Sequence, residues 1–171
     1  MPNYQKSFES VISSTFFDGA ANIVEGGTGT ATAEFDGSNM TLDAGYDSNS
    51  FPSNVTFTGI EITISGNTTG TNASILQITP QIGATSGTTT NKSINANSTY
   101  IVGGSSSLLG LTLNSSALPF LRVKYNLFDA NSTTTVISAT TIIIHYTLPF
   151  SNKLYNTGGK LSITSGKVSL T

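Results

Sequence analysis

Cysteine and tryptophan are both absent from the 171 residues, histidine occurs once, and charged side chains make up only 9%. Without cysteine there is no disulfide, no thiolate metal site and no cysteine nucleophile, so stability has to come from packing and oligomerisation. A single histidine excludes metal sites built on paired imidazoles. Its place between Ile144 and Tyr146, in the most apolar stretch, reads as structural. The charge content is far below the roughly 25% of ordinary soluble proteins. With a net charge of −2, little is available to neutralise phosphates, so no nucleic acid partner is expected. No polybasic segment addresses a membrane surface. No apolar run approaches the ~20 residues that cross a bilayer, and Met1 to Phe17 lacks the basic cluster and apolar core of a signal peptide. A soluble, unprocessed chain is the expectation.

Glycine, serine, threonine and asparagine fill the space left by charge, yet 37% of residues are apolar, which is enough to fold. Apolar residues never hold helical spacing for three turns, whereas alternation at period two recurs along the chain. The reading is an all-β, antiparallel β-sandwich, jelly-roll-like, over residues 1–148. A linker and C-terminal hairpin arm occupy 149–171. The clearest strand runs from Phe120 to Phe128, with Leu121, Val123, Tyr125 and Leu127 on one face. Thr134 to Thr147 is nearly all β-branched, and Ile142, Ile143 and Ile144 predict a central strand covered on both sides.

Val55, Phe57, Ile60, Ile62 and Ile64 alternate in two blocks that a bulge at Thr58-Gly59 brings into phase. Shorter strands are expected at Gly29–Phe35, Met40–Leu42, Ala73–Ile78, Lys92–Ile94, Tyr100–Val102 and Leu108–Leu113. In the tail, a two-residue turn at Ser165-Gly166 sets Leu161 opposite Leu170 and Ile163 opposite Val168. A lone two-stranded hairpin is marginal in water, so these four residues read as an assembly arm that docks on a neighbour; packing on its own domain is the alternative.

No catalytic signature emerges. Serines are abundant, but none sits in a G-x-S-x-G elbow. Gly26-Gly27-x-Gly29 and Gly103-Gly104 precede no helix and read as turn glycines. Glu34, Asp36, Asp43 and Asp47 crowd neighbouring turns, where they would supply calcium oxygens or an acid/base pair. Their spacing matches no calcium loop, and carboxylates in such turns ordinarily bond local backbone. No cofactor, metal or enzymatic activity is expected. Tyr46, Phe51 and Tyr100 fall near loops where a sugar-binding protein would place aromatic rings; anchoring of those loops to the core is the competing role.

The run Val55-Thr56-Phe57-Thr58-Gly59-Ile60-Glu61-Ile62-Thr63-Ile64-Ser65-Gly66, followed by the polar loop Asn67 to Asn72, resembles a strand and loop of β-sandwich modules in tailed-bacteriophage virion proteins. Tyr100–Gly104, Leu118–Tyr125 and Thr140–Thr147 follow in the order of such modules, so the resemblance covers most of residues 4–147. The chain departs in lacking tryptophan and in adding the terminal Gly-Lys-Leu-Ser-Ile hairpin. The resemblance implies a virion component assembled in the host cytoplasm, with no enzymatic function. The reading is a capsid decoration or cement protein. Its N-terminal lead-in segment and C-terminal arm would bridge the major capsid protein and copies of itself in a homo-oligomer. The rival is a tail or fibre module that binds host-surface glycans.

Overall fold

The computed structural model describes residues 2–70, 72–95, 97–130 and 134–149, with backbone alone at 129, 161–164 and 167–170. The strands are β1 (Asn3–Ser7), β2 (Ser10–Thr15), β3 (Ala31–Ala33), β4 (Asn39–Asp43), β5 (Thr56–Thr68), β6 (Ser74–Ile82), β7 (Thr85–Ser86), β8 (Thr90–Ile94), β9 (Ser98–Gly103), β10 (Leu121–Asp129), β11 (Thr135–Thr147), β12 (Leu161–Thr164) and β13 (Lys167–Leu170). Two short 3-10 turns, Ala20–Ile23 and Leu118–Phe120, complete the described elements.

The strands form two antiparallel sheets. One runs β1-β11-β5-β9, with β3 beside β1 on the same edge of β11; the other runs β2-β4-β10-β6-β7, with β8 beside β7 on β6. Without the short β2, β3 and β7, the order is β1-β11-β5-β9 over β4-β10-β6-β8. Counted along those eight strands, this is first-eighth-third-sixth over second-seventh-fourth-fifth, the two Greek keys of a jelly roll. Strand order depends on pairing between distant residues, which leaves no local mark in a sequence.

Period-two alternation creates the core. Ile60, Ile62 and Ile64 of β5 and Ile142 and Ile144 of β11 turn inward from one sheet; Met40, Leu42, Leu76, Ile78, Leu121, Val123, Tyr125 and Leu127 turn inward from the other, all of them fully buried. Burial of this kind is worth about 25 cal/mol per Å² of apolar surface. The bulge expected at Thr58-Gly59 is present: the register steps from His145 opposite Gly59 to Tyr146 opposite Phe57. Gly59 is needed there because a Cβ would collide with the Gly104 carbonyl oxygen and the Ser105 backbone. Pro80 sits within β6 opposite Val123. Its missing N–H is tolerated because it falls between the stretches of β6 laddered to β8 and β7, where the outer edge is met only by the Gly87 N–H donating to the Pro80 carbonyl at 2.8 Å.

Four expectations are corrected. The N-terminal segment is not an arm: β1 pairs along β11, Asn3 opposite His145 and Ser7 opposite Thr141, and β2 pairs with β4. β11 is central within its sheet but covered fully on one face only, since Ile143 is half-buried between the flanking Gln5 and Glu61. The strand expected at Leu108–Leu113 is a looped segment. Leu109 (φ 53°) and Gly110 (φ 77°) leave the extended region, although Leu109, Leu111 and Leu113 are buried. Gly29–Phe35 contributes only the three-residue β3. In the tail, β12 and β13 pair as a two-stranded sheet with Leu161 opposite Leu170, Ile163 opposite Val168 and Thr164 opposite Lys167, the register read from the sequence. The Ser165-Gly166 turn and the linker over 150–160 lie outside the described residues.

Candidate functional site

Tyr46 and Phe51 belong to the core. They are 3% and 7% exposed, and with Tyr4, Phe57 and Tyr146 they build a cluster of five rings at one end of the sandwich. The Tyr46 hydroxyl donates to the carbonyl oxygens of Tyr4 (2.9 Å) and Ile142 (3.1 Å). Burial first, then the neighbouring Tyr4, pushes its ionisation well above the ordinary tyrosine range. Lys6 lies over the same ring at 5.8 Å and donates to the Gly45 carbonyl at 2.7 Å. These contacts pin the loop between β4 and β5 to β1 and β11. Neither ring offers a face to a sugar. Tyr100 is half-buried on the edge strand β9, opposite the core residue Ile64, and is separate from the five-ring cluster. The three aromatics singled out in the sequence do not converge.

The four carboxylates separate as well. Asp36 accepts the Ala130 N–H at 2.6 Å, Asp43 the Gly45 N–H at 2.9 Å, and Asp47 the Asn49 N–H at 2.7 Å. Asp43 and Asp47 serve local turns, whereas Asp36 ties the turn after β3 to the end of β10, 94 residues away. No trio of His, Asp or Glu converges as a metal site among the described residues. His145 lies on the outer face of its sheet, 3.6 Å from the Glu61 carboxylate.

The opposite end of the sandwich carries a feature that the sequence reading overlooked. β2 stops at Thr15, and Phe16 takes the left-handed conformation (φ 56°). That turn of the backbone sends Phe17 into the core and leaves Phe16 68% exposed. The chain then pairs Asp18 with Thr32 of β3 through two 2.9 Å backbone hydrogen bonds. Ala31 and Ala33 point inward, so Thr32 and Glu34 point outward with Asp18. Thr134 donates its hydroxyl to Glu34 at 3.1 Å.

Phe35 follows at the start of a β-turn closed by the Ser38 N–H donating to the Phe35 carbonyl (3.1 Å), with Gly37 at φ 82°. The turn is tied to the end of β10, where the Gly37 N–H donates to Leu127 and the Leu127 N–H donates to Ser38. Phe35 is thereby held 63% exposed, edge to face with Phe16 at 6.3 Å and 70°. The two rings, Asp18, Thr32, Ala33 and Glu34 line an open cleft of about 110 Å³. Exposed phenyl rings cost free energy in water, and here both are fixed by backbone bonds and turn geometry. Phe16 carries in addition a left-handed conformation that costs a bulky residue about 1–3 kcal/mol.

Comparison with solved structures gives the same sandwich. The chain superposes on truncated AlyQ with CBM32 and alginate lyase domains at a TM-score of 0.55 and 14% identity, over 86% of this chain and 34% of that one. It superposes on the CBM32 of AlyQ in complex with 4,5-unsaturated mannuronic acid at 0.52 and 14%, over 81% and 97%. The likeness is one of fold. This chain spans about a third of the AlyQ chain that carries both domains. No family model matches, and no curated protein matches.

The signal for the cleft was present in the sequence as a breach of its own pattern. Phe16 and Phe17 are adjacent, so an alternating backbone cannot bury both, and Phe35 lies between Glu34 and Asp36 where no core strand would be flanked by carboxylates.

Proposed function

We propose that this chain is a non-catalytic binding module that holds a glycan in the Phe16/Phe35 cleft. The observation that carries the reading is the exposed, backbone-fixed pair of phenyl rings beside two carboxylates. Sugars present apolar C–H faces and outward hydroxyls; a ring face accepts the first, and Asp18 and Glu34 accept hydrogen bonds from the second. The solved neighbour that carries 4,5-unsaturated mannuronic acid on the same sandwich supports a glycan as the ligand, though not an acidic one. A cleft of about 110 Å³ is below the roughly 300–1,000 Å³ of sites that enclose drug-sized ligands. One sugar residue would be gripped, with a Kd on the order of a millimolar, about 4 kcal/mol. Repetition of sites along a polymer would raise that by avidity.

Titration of neutral oligosaccharides against the protein, followed by NMR shifts, tests the proposal. Phe16→Ala and Phe35→Ala are expected to weaken binding about tenfold or more. Because both rings are exposed, melting should stay within about 2 °C. Unchanged affinity in both variants overturns the site, and absence of any glycan response overturns the function.

The second reading, a decoration protein of a phage capsid, draws on the β12–β13 hairpin. A two-stranded sheet of four-residue strands is marginal alone and gains from docking on a partner surface. The jelly roll serves capsid and lectin domains alike. Light scattering of the chain with and without residues 156–171, and co-sedimentation with capsids, tests it. An oligomer or capsid adherence that is lost with the hairpin supports this reading; identical monomers without adherence remove it.

A further inference from the structure

We infer, on the strength of the glycan-binding reading, that the cleft selects sugars bearing a free ammonium group over neutral and acidic ones. Its lining contains two carboxylates, Asp18 and Glu34, and no cation. Asp18 is bridged directly to Thr32, and Glu34 stands two residues beyond Thr32 on the same face. Both line the same cleft of about 110 Å³, so that one ammonium seated in it can donate a hydrogen bond to each. Glu34 already accepts the Thr134 hydroxyl through Oε1. That bond orients the carboxylate.

Among the described residues Lys6 pairs with Glu9, and His145 is the neighbour of Glu61, so neither cleft carboxylate is matched by a cation among them. Two like charges on one small face repel each other, and a cationic ligand relieves the repulsion as it binds. The two exposed phenyl rings add to the preference, because the faces of aromatic rings attract cations. A uronate would place a third negative charge in the cleft and be rejected. An N-acetylated sugar, its nitrogen uncharged, would bind as a neutral sugar does. A β(1,4)-linked glucosamine oligosaccharide with free amines is thus the probe of choice.

Each exposed ion pair changes affinity roughly 1.5- to 5-fold, and both are screened by salt. Glucosamine trimer is expected to bind about three- to tenfold more tightly than N-acetylglucosamine trimer or cellotriose at low salt, with trigalacturonate showing no binding. The advantage should shrink in 0.5 M sodium chloride. It should disappear in Asp18→Asn/Glu34→Gln, in which the new side-chain amide keeps a carbonyl acceptor for the Thr134 hydroxyl and the fold is checked by melting. Phe16→Ala should weaken every sugar.

If all neutral and amino trimers bind equally and Phe16→Ala weakens them all, the charge selection is wrong while glycan binding stands. If no sugar binds, the parent reading falls and this inference falls with it. Cadaverine, a diamine without a sugar ring, is the remaining arm: binding as tight as glucosamine trimer would make the cleft a general cation site and overturn the assignment to sugars.

Discussion

Replacing Phe51 with alanine separates an aromatic ring that holds the fold from one that holds a ligand. The ring touches four others, with centroids at 5.6 Å from Tyr4 and Tyr46 and 5.2 Å from Phe57 and Tyr146. At 7% exposure, nearly all of its surface is out of water. Roughly 150 Å² of apolar burial at about 25 cal/mol per Å² is about 4 kcal/mol, in line with the 3–5 kcal/mol typical of Phe→Ala in cores. The loop bearing Phe51 ends the sandwich and can partly collapse onto the vacancy, so about 3 kcal/mol is expected. For a chain of this length that lowers Tm by about 6–12 °C. Urea denaturation and calorimetry read the stability, and the oligosaccharide titration, run well below the new Tm, reads binding. The variant should be unstable and bind normally. A Tm within about 2 °C of the parent together with lost binding would refute the assignment of Phe51 to the core and restore it as a sugar contact.

Gly59→Ala drives a methyl group into the Gly104 carbonyl and the Ser105 backbone, where the Ile60 N–H donates to Ser107 and the Gly104 N–H to Ile60; a loss of about 1–3 kcal/mol by thermal melting is expected, and a neutral result would contradict the close approach. At high pH, Tyr46 and Tyr125 destabilise the fold. Burial raises both ionisations above the ordinary value near 10, so the folded state holds its protons more tightly than the unfolded chain. Their contribution is complete below about pH 10 and is lost as pH climbs from there toward the folded values. Tyrosinate absorbance from these two rings should rise together with unfolding seen by circular dichroism; full ionisation of all tyrosines in a folded protein would contradict it.

The fold was legible where one residue type repeats on one face. Leu121, Val123, Tyr125 and Leu127 announce β10, and the phase break at Thr58-Gly59 announces a bulge, because both are local consequences of pleating. The same rule misled at Leu108–Leu113, where leucines alternate into the core from a backbone bent at Leu109. It was silent at Asn3–Ser7, whose polar residues pair with β11 through main-chain bonds that any sequence can make. For the site, Tyr46 and Phe51 were correctly placed on a loop, but whether a loop aromatic points out or in depends on which strands lie beneath it. The hydrogen bonds from Tyr46 to Tyr4 and Ile142 span 42 and 96 residues, beyond the reach of local pattern. Phe16 and Phe35 come together only because Asp18 bridges to Thr32.

The pairing of β1 with β11 also fixes how the module can be mounted. The Tyr146 N–H donates to the Pro2 carbonyl at 3.2 Å, so the chain enters and leaves the sandwich side by side at one pole. The Phe16/Phe35 cleft lies at the other pole, beside Thr134 at the head of β11. That strand is 13 residues long, roughly 40 Å at about 3.3 Å per residue. Asn3 and Thr147 therefore lie at the pole away from the cleft, and a group joined directly before Asn3 starts behind the module. Immobilising the protein through its N-terminal end should leave ligand access intact, whereas coupling it to a support through a residue introduced near Gly37 should block it.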